Sequence, residues 1–171
     1  MKSSVKLRAA KPRRAVRGPA ASVAGLMRIK SILVPLDFSP PSKKALDYAV
    51  DLARQFKAKL TLLHVVEPVG TPGFAASFPL VMEDDELMAV ARNELEQQVK
   101  AARLPRPMVE KILVRFGRSF HEITEAARTR KVDLIVISTH GHTGLKHALL
   151  GSTTERVVRH ASCPVLVVRQ R

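Results

Sequence analysis

From Ile29 onward the chain alternates between two kinds of pattern, short unbroken apolar runs and longer stretches whose apolar residues recur every three or four positions. The run Ser31–Leu36 predicts a first strand, closed by Asp37. Ser39-Pro40-Pro41 then reads as a helix start, with serine as cap and proline at the first helical position. Ala45, Ala49, Leu52, Ala53 and Phe56 recur at helical spacing and would face a sheet. Leu60–Val65 predicts a second strand, followed by a loop holding Pro68, Gly70, Pro72 and Gly73. A helix is expected from about Asp84 to Ala102, with Leu87, Val90, Ala91, Leu95 and Val99 on one face.

The second half repeats the alternation. A third strand is expected at Val109–Val114, and Ser119-Phe-His-Glu122 has the spacing of a capping box for a short helix through Ala127. Val132–Ile137 and Pro164–Val168 predict the fourth and fifth strands. Strands apolar on both faces and separated by helices predict an α/β fold, a doubly wound, five-stranded parallel sheet with helices on both sides.

Composition agrees with that architecture. Of 171 residues, 46% are hydrophobic but only 4% aromatic, with no Trp, so the core must be aliphatic. Cys163 stands alone, which excludes an internal disulfide framework and favours a reducing, cytoplasmic setting; packing is its expected role. The apolar runs are strand-length, so no membrane span is expected.

The net charge of +14 is unevenly distributed. Lys2, Lys6, Arg8, Lys11, Arg13, Arg14, Arg17 and Arg28 fall in a stretch with no acidic residue. Residues 1–27 read as a disordered basic tail and 28–171 as the folded domain. Three readings of the tail stay open: a solvated extension or over-long start ahead of Met27, a nucleic-acid-binding arm, and a targeting peptide.

In an open parallel sheet, ligands bind beyond the carboxyl ends of the strands. Asp37, Val65–Glu67 and the glycine-rich stretch from Ser138 to Glu155 occupy those positions. Glycines let a backbone approach an anion closely, and Ser152 with Glu155 reads as a second capping box, hence a helix N-terminus with free N–H donors. The same letters are also satisfied by a plain chain turn and a helix cap. There is no Gly-x4-Gly-Lys-Ser/Thr, no Gly-x-Gly-x-x-Gly after the first strand and no Gly-x-Ser-x-Gly elbow. A metal site from His140, His142 and His147 lacks cysteine or carboxylate partners at ligand spacing.

Taken together, Ile32-Leu-Val-Pro-Leu-Asp37-Phe-Ser39, Leu62-Leu-His-Val65, Val132–Ile137, Thr139–Ser152 and Cys163–Val168 resemble the universal stress protein family over residues 29 to 169. The resemblance implies a fold of the adenine nucleotide alpha hydrolase type, ATP as ligand (with Mg²⁺) and a homodimer joined through the last strand, Pro164–Val168. Its ATP-binding branch is marked by Gly-x2-Gly-x9-Gly-Ser/Thr. Gly141, Gly151 and Ser152 match, and Ser138 stands in the first glycine's position. Carried over, the resemblance implies that Asp37 and the Val65 backbone hold adenine, that Pro35 and Ile137 shape the pocket, and that Ser138, Gly141, Gly151, Ser152 and Thr153 hold ribose and phosphates. Dedicated catalysis is not expected beyond slow ATP hydrolysis. A nucleotide-free dimer acting through partners is the competing reading.

Overall fold

The computed structural model describes residues 28–68, 84–105, 107–139 and 151–169. The order of elements is β1 (Ser31–Pro35), α1 (Pro40–Phe56), β2 (Lys59–Val66), α2 (Asp84–Ala101), β3 (Val109–Phe116), α3 (Ser119–Thr129), β4 (Leu134–Ser138), α4 (Ser152–His160) and β5 (Val165–Val168). All five strands form one parallel sheet in the order β3-β2-β1-β4-β5. The chain steps outward from β1 to β3, then returns to the other side of β1 for β4, so strand order reverses between β1 and β4.

The two faces of the sheet are covered differently. Ile32, Val34, Leu60, Leu62, Leu134 and Val136 point toward Ala45, Leu46, Ala49 and Ala53 of α1 and Ala91 and Leu95 of α2. Leu33, Leu63, Ile135 and Ile137 point the other way, toward Ile123, Ala126 and Ala127 of α3 and Val157 of α4. Alternate residues of each central strand are therefore buried on opposite faces, which accounts for apolar runs without polar alternation.

Local chemistry sets the element ends. The Ser39 hydroxyl accepts from the Ser42 amide at 3.3 Å, and Pro40 and Pro41 open α1, where no amide donor is needed. Lys57 adopts a left-handed conformation (φ 55°) that ends α1, its N–H bonding back to Ala53. At the opposite end of the sheet, one Asp133 carboxylate oxygen accepts from the Lys30 and Ser31 amides at 2.7 and 3.0 Å, pinning the start of β1 beside the start of β4. Gly117 turns β3 into α3 with φ 144°, and a Cβ there would lie 3.2 Å from Glu122 Cγ.

Both expected capping boxes are corrected. Ser119 and Ser152 are the first helical residues, and the caps are Arg118 and Gly151, with no side-chain cap bond. The two glutamates, displaced by one position, pair elsewhere: Glu122 with Arg115 at 3.2 Å, Glu155 with Arg159 at 2.8 Å. Strands β2 and β3 also run further than the apolar pattern suggests. Ladder bonding carries them through Val66 and Phe116, beyond the last fully buried residues. The basic tail, the loop glycines Gly70 and Gly73 with Pro72, and Gly141 with His140, His142 and His147 lie outside the described residues.

Candidate functional site

A cleft of about 270 Å³ opens at the carboxyl ends of β1, β2 and β4, at the point where strand order reverses. Pro35, Leu36, Asp37, Val65, Glu67, Ile137 and Ser138 come to it from the strand ends, Ser42 from α1, Ser119 and Ile123 from α3, and Gly151 to Thr154 from the start of α4. Every site residue expected from sequence that falls within the described residues lines this one cleft.

Asp37 leaves β1 on a strained turn. The next residue, Phe38, has φ 66°, an unusual conformation for a bulky side chain. Two contacts hold it there. Its ring stacks on His64, centroids 4.2 Å apart and planes 18° from parallel. His64 Nδ1 lies 2.7 Å from the Leu36 carbonyl, which can only accept, so that nitrogen carries the proton. Asp37 Oδ1 in turn accepts from the Ser39 hydroxyl at 2.5 Å and the Ser39 amide at 3.1 Å. The carboxylate is thereby fixed at the cleft floor, tied to the cap of α1.

Val65 contributes backbone. The Leu63 carbonyl accepts from the Leu36 amide, and the Val66 carbonyl from the Gly117 amide. Backbone groups of a strand alternate between its neighbours, so those of Val65 turn to the β1 side, past the point where β1 has ended. They face the cleft.

Two helix N-termini look into the cleft, and they differ. At α3 the Ser119 amide donates to Glu67 Oε1 at 2.7 Å, so a carboxylate from the end of β2 already occupies the positive end of that helix. At α4 the first residues, Ser152 and Thr153, line the cleft. This second terminus is locked to the sheet: the Thr154 hydroxyl donates to the Ser138 carbonyl at 2.8 Å, and the Gly151 amide donates to the Thr139 carbonyl at 2.7 Å. Ser138 is buried and is not among the described residues with left-handed backbone, so a side chain at this position carries no conformational strain.

Glu67, Ser119 and Ile123 were not assigned to the site from sequence. Glu67 stands two residues past Val65, where the strand-end rule points. Ser119 and Ile123 reach the cleft only because α3 crosses the sheet, and no local signal marks them. Cys163 sits away from the cleft against the α3/α4 core, and burial, aided by the Asp133 charge, pushes its thiol above the usual range. Among the described residues, no group of three or more His, Cys, Asp or Glu side chains is placed to hold a metal ion, and no helix is long and apolar enough to cross a membrane.

A reversed-order parallel sheet with a cleft between two helix N-termini defines the doubly wound α/β class, and the cleft lies where such folds take ligands. The chain belongs to the Universal stress protein family, whose sequence model matches residues 28–169. It is 36% identical over 150 residues to the universal stress protein MJ0531 of Methanocaldococcus jannaschii, covering 82% of each chain. In structure it is similar to the universal stress protein UspA of Lactobacillus plantarum, with a TM-score of 0.70 at 32% identity over 83% of this chain and 99% of that one. It also shares its fold with a universal stress protein solved in complex with cAMP, with a TM-score of 0.59 at 24% identity over 84% of this chain and 99% of that one.

Proposed function

We propose that this protein binds ATP, with Mg²⁺ on the phosphates, and acts in the cytoplasm as a nucleotide-dependent regulator in a stress response. The observation that carries this reading is the convergence of Pro35, Asp37, Val65, Ile137, Ser138, Gly151, Ser152 and Thr153 on one cleft at the strand-order reversal. Gly141 is the remaining member of the proposed set. The cAMP complex of the 24% identical relative is a property of that protein, and it agrees with an adenine nucleotide as the ligand class.

The asymmetry of the two helix ends supports one direction of binding. A phosphate chain seeks unpaired N–H donors and a positive dipole end. The α3 terminus is already neutralised by Glu67, and a phosphate there would meet a carboxylate. The α4 terminus has no such anion from Glu67, and its hydroxyl residues face the cleft. In this reading adenine lies on the β2 side, read by the Val65 backbone and Asp37, and the phosphates lie against Gly151, Ser152 and Thr153. Ser138 keeps its place at the β4 end, where it lines the cleft.

The test uses the purified full chain, denatured and assayed for released nucleotide, followed by ATP titration of the empty protein with Mg²⁺. Co-purified or micromolar ATP, lost in Gly151→Val, is the expected result, because a branched side chain at that cap would fill the space the phosphates need. Absence of nucleotide together with no binding would leave the nucleotide-free dimer as the better reading.

A further inference from the structure

Resting on that reading, we propose that Arg156 is a phosphate-binding residue of the cleft, one that sets the preference for triphosphates over less charged adenine nucleotides. Three observations place it. First, Arg156 lies three residues after Thr153 and four after Ser152 on α4, so it shares their face of the helix. Helical side chains lean toward the N-terminus and cover the preceding turn, which here is the cleft-lining turn.

Second, the guanidinium lies 5.1 Å above the ring centroid of Phe120. Phe120 sits in the first turn of α3, between the cleft residues Ser119 and Ile123. The cation, carried on α4, is thus held against the first turn of α3, and these two helices bound the cleft. A ring face restrains it without consuming its N–H donors.

Third, the charge is not spent on a carboxylate. On the same helix Arg159 pairs with Glu155, and on α3 Arg128 pairs with Glu125; among the described residues no ion pair is formed by Arg156. A planar fork of donors beside a helix N-terminus matches a terminal phosphate, with which arginine bonds in a bidentate manner. The guanidinium lies over the ring of Phe120, and that ring also neighbours His160, centroids 6.2 Å apart. Neither competes as an anion.

The proposal is tested by isothermal titration of the full-length protein with Mg-ATP, ADP and AMP, comparing wild type with Arg156→Gln, Arg156→Lys and Phe120→Leu. The expected result for Arg156→Gln is an ATP affinity lower by about fivefold to tenfold, with AMP changed by less than about twofold, so that the ATP-to-AMP preference collapses. Arg156→Lys should recover part of the preference, and Phe120→Leu should lose part of it while Arg156 is intact. The salt dependence of ATP binding should also weaken in Arg156→Gln. An equal loss for ATP and AMP, or no loss for either in a variant with unchanged melting temperature, overturns the proposal while leaving nucleotide binding in place. A wild type that binds none of the three overturns both readings.

Discussion

At the scale of single residues, the cleft is built on a local conflict that tertiary contacts resolve. Phe38 occupies a left-handed conformation that costs about 1–3 kcal/mol for such a side chain. The His64 ring beneath it and the Leu36 carbonyl holding that ring make the arrangement stable. Nothing in the string Leu36-Asp37-Phe38-Ser39 announces this, although the string does mark Asp37 and the Ser39 cap. A second residue shows a conflict left unresolved. Thr61 is fully buried in β2, and its hydroxyl has no hydrogen-bond partner among the described residues. Thr61→Val keeps shape and strand preference while removing the unsatisfied group. It should raise stability by about 1 kcal/mol in urea denaturation, with an unchanged slope. A destabilised variant would mean that the hydroxyl is satisfied in solution.

At the scale of elements, helices and strands were legible in the apolar spacing, and their ends were not. The expected strands begin or stop one or two residues from the observed ones, because burial and pairing do not share ends: β2 and β3 run past their buried residues, while β1 stops short of buried Leu36 and β4 begins after buried Val132. Ser119 and Ser152 each had the letters of a capping box. Each instead became the first helical residue, because the residue before it, Arg118 or Gly151, holds the extended conformation of a cap. A glutamate at that spacing serves either a cap or an ion pair, and only the observed positions of Arg115 and Arg159 decide between them. Asp133 gives the corresponding lesson for the sheet. Its carboxylate joins β4 to the start of β1 across 102 and 103 residues of sequence, through two backbone amides. Asp133→Ala should cost about 1–2 kcal/mol, and Asp133→Asn less, since one acceptor remains. Equal stability of all three proteins would show that water replaces the carboxylate there.

At the scale of the whole molecule, the two edges of the sheet differ in a way that bears on assembly. The edge strand β3 carries Glu110, Lys111 and Arg115, charges that discourage pairing with another chain. The other edge, β5, reads Val-Leu-Val-Val with Leu166 exposed. We propose that β5 pairs with its copy in a homodimer. The carbonyls of Pro164 and Val168 accept from Ile135 and Thr139 of the β4 side, so by alternation the backbone of Val167 faces outward. Val167→Pro removes an outward donor and spares the β4 ladder. It should shift sedimentation equilibrium from dimer to monomer while the melting transition stays cooperative; a wild type that sediments as a monomer would refute the pairing. The sequence by itself determined the α/β class, the run of elements and the identity of most cleft residues, because burial on two faces imposes apolar runs and strand ends carry the functional letters. Only the tertiary structure decided which strands are neighbours, that Glu67 fills the α3 terminus, that Ser119 and Ile123 line the cleft, and that Arg156 lies over Phe120. Those facts depend on how helices cross the sheet, which no local pattern encodes.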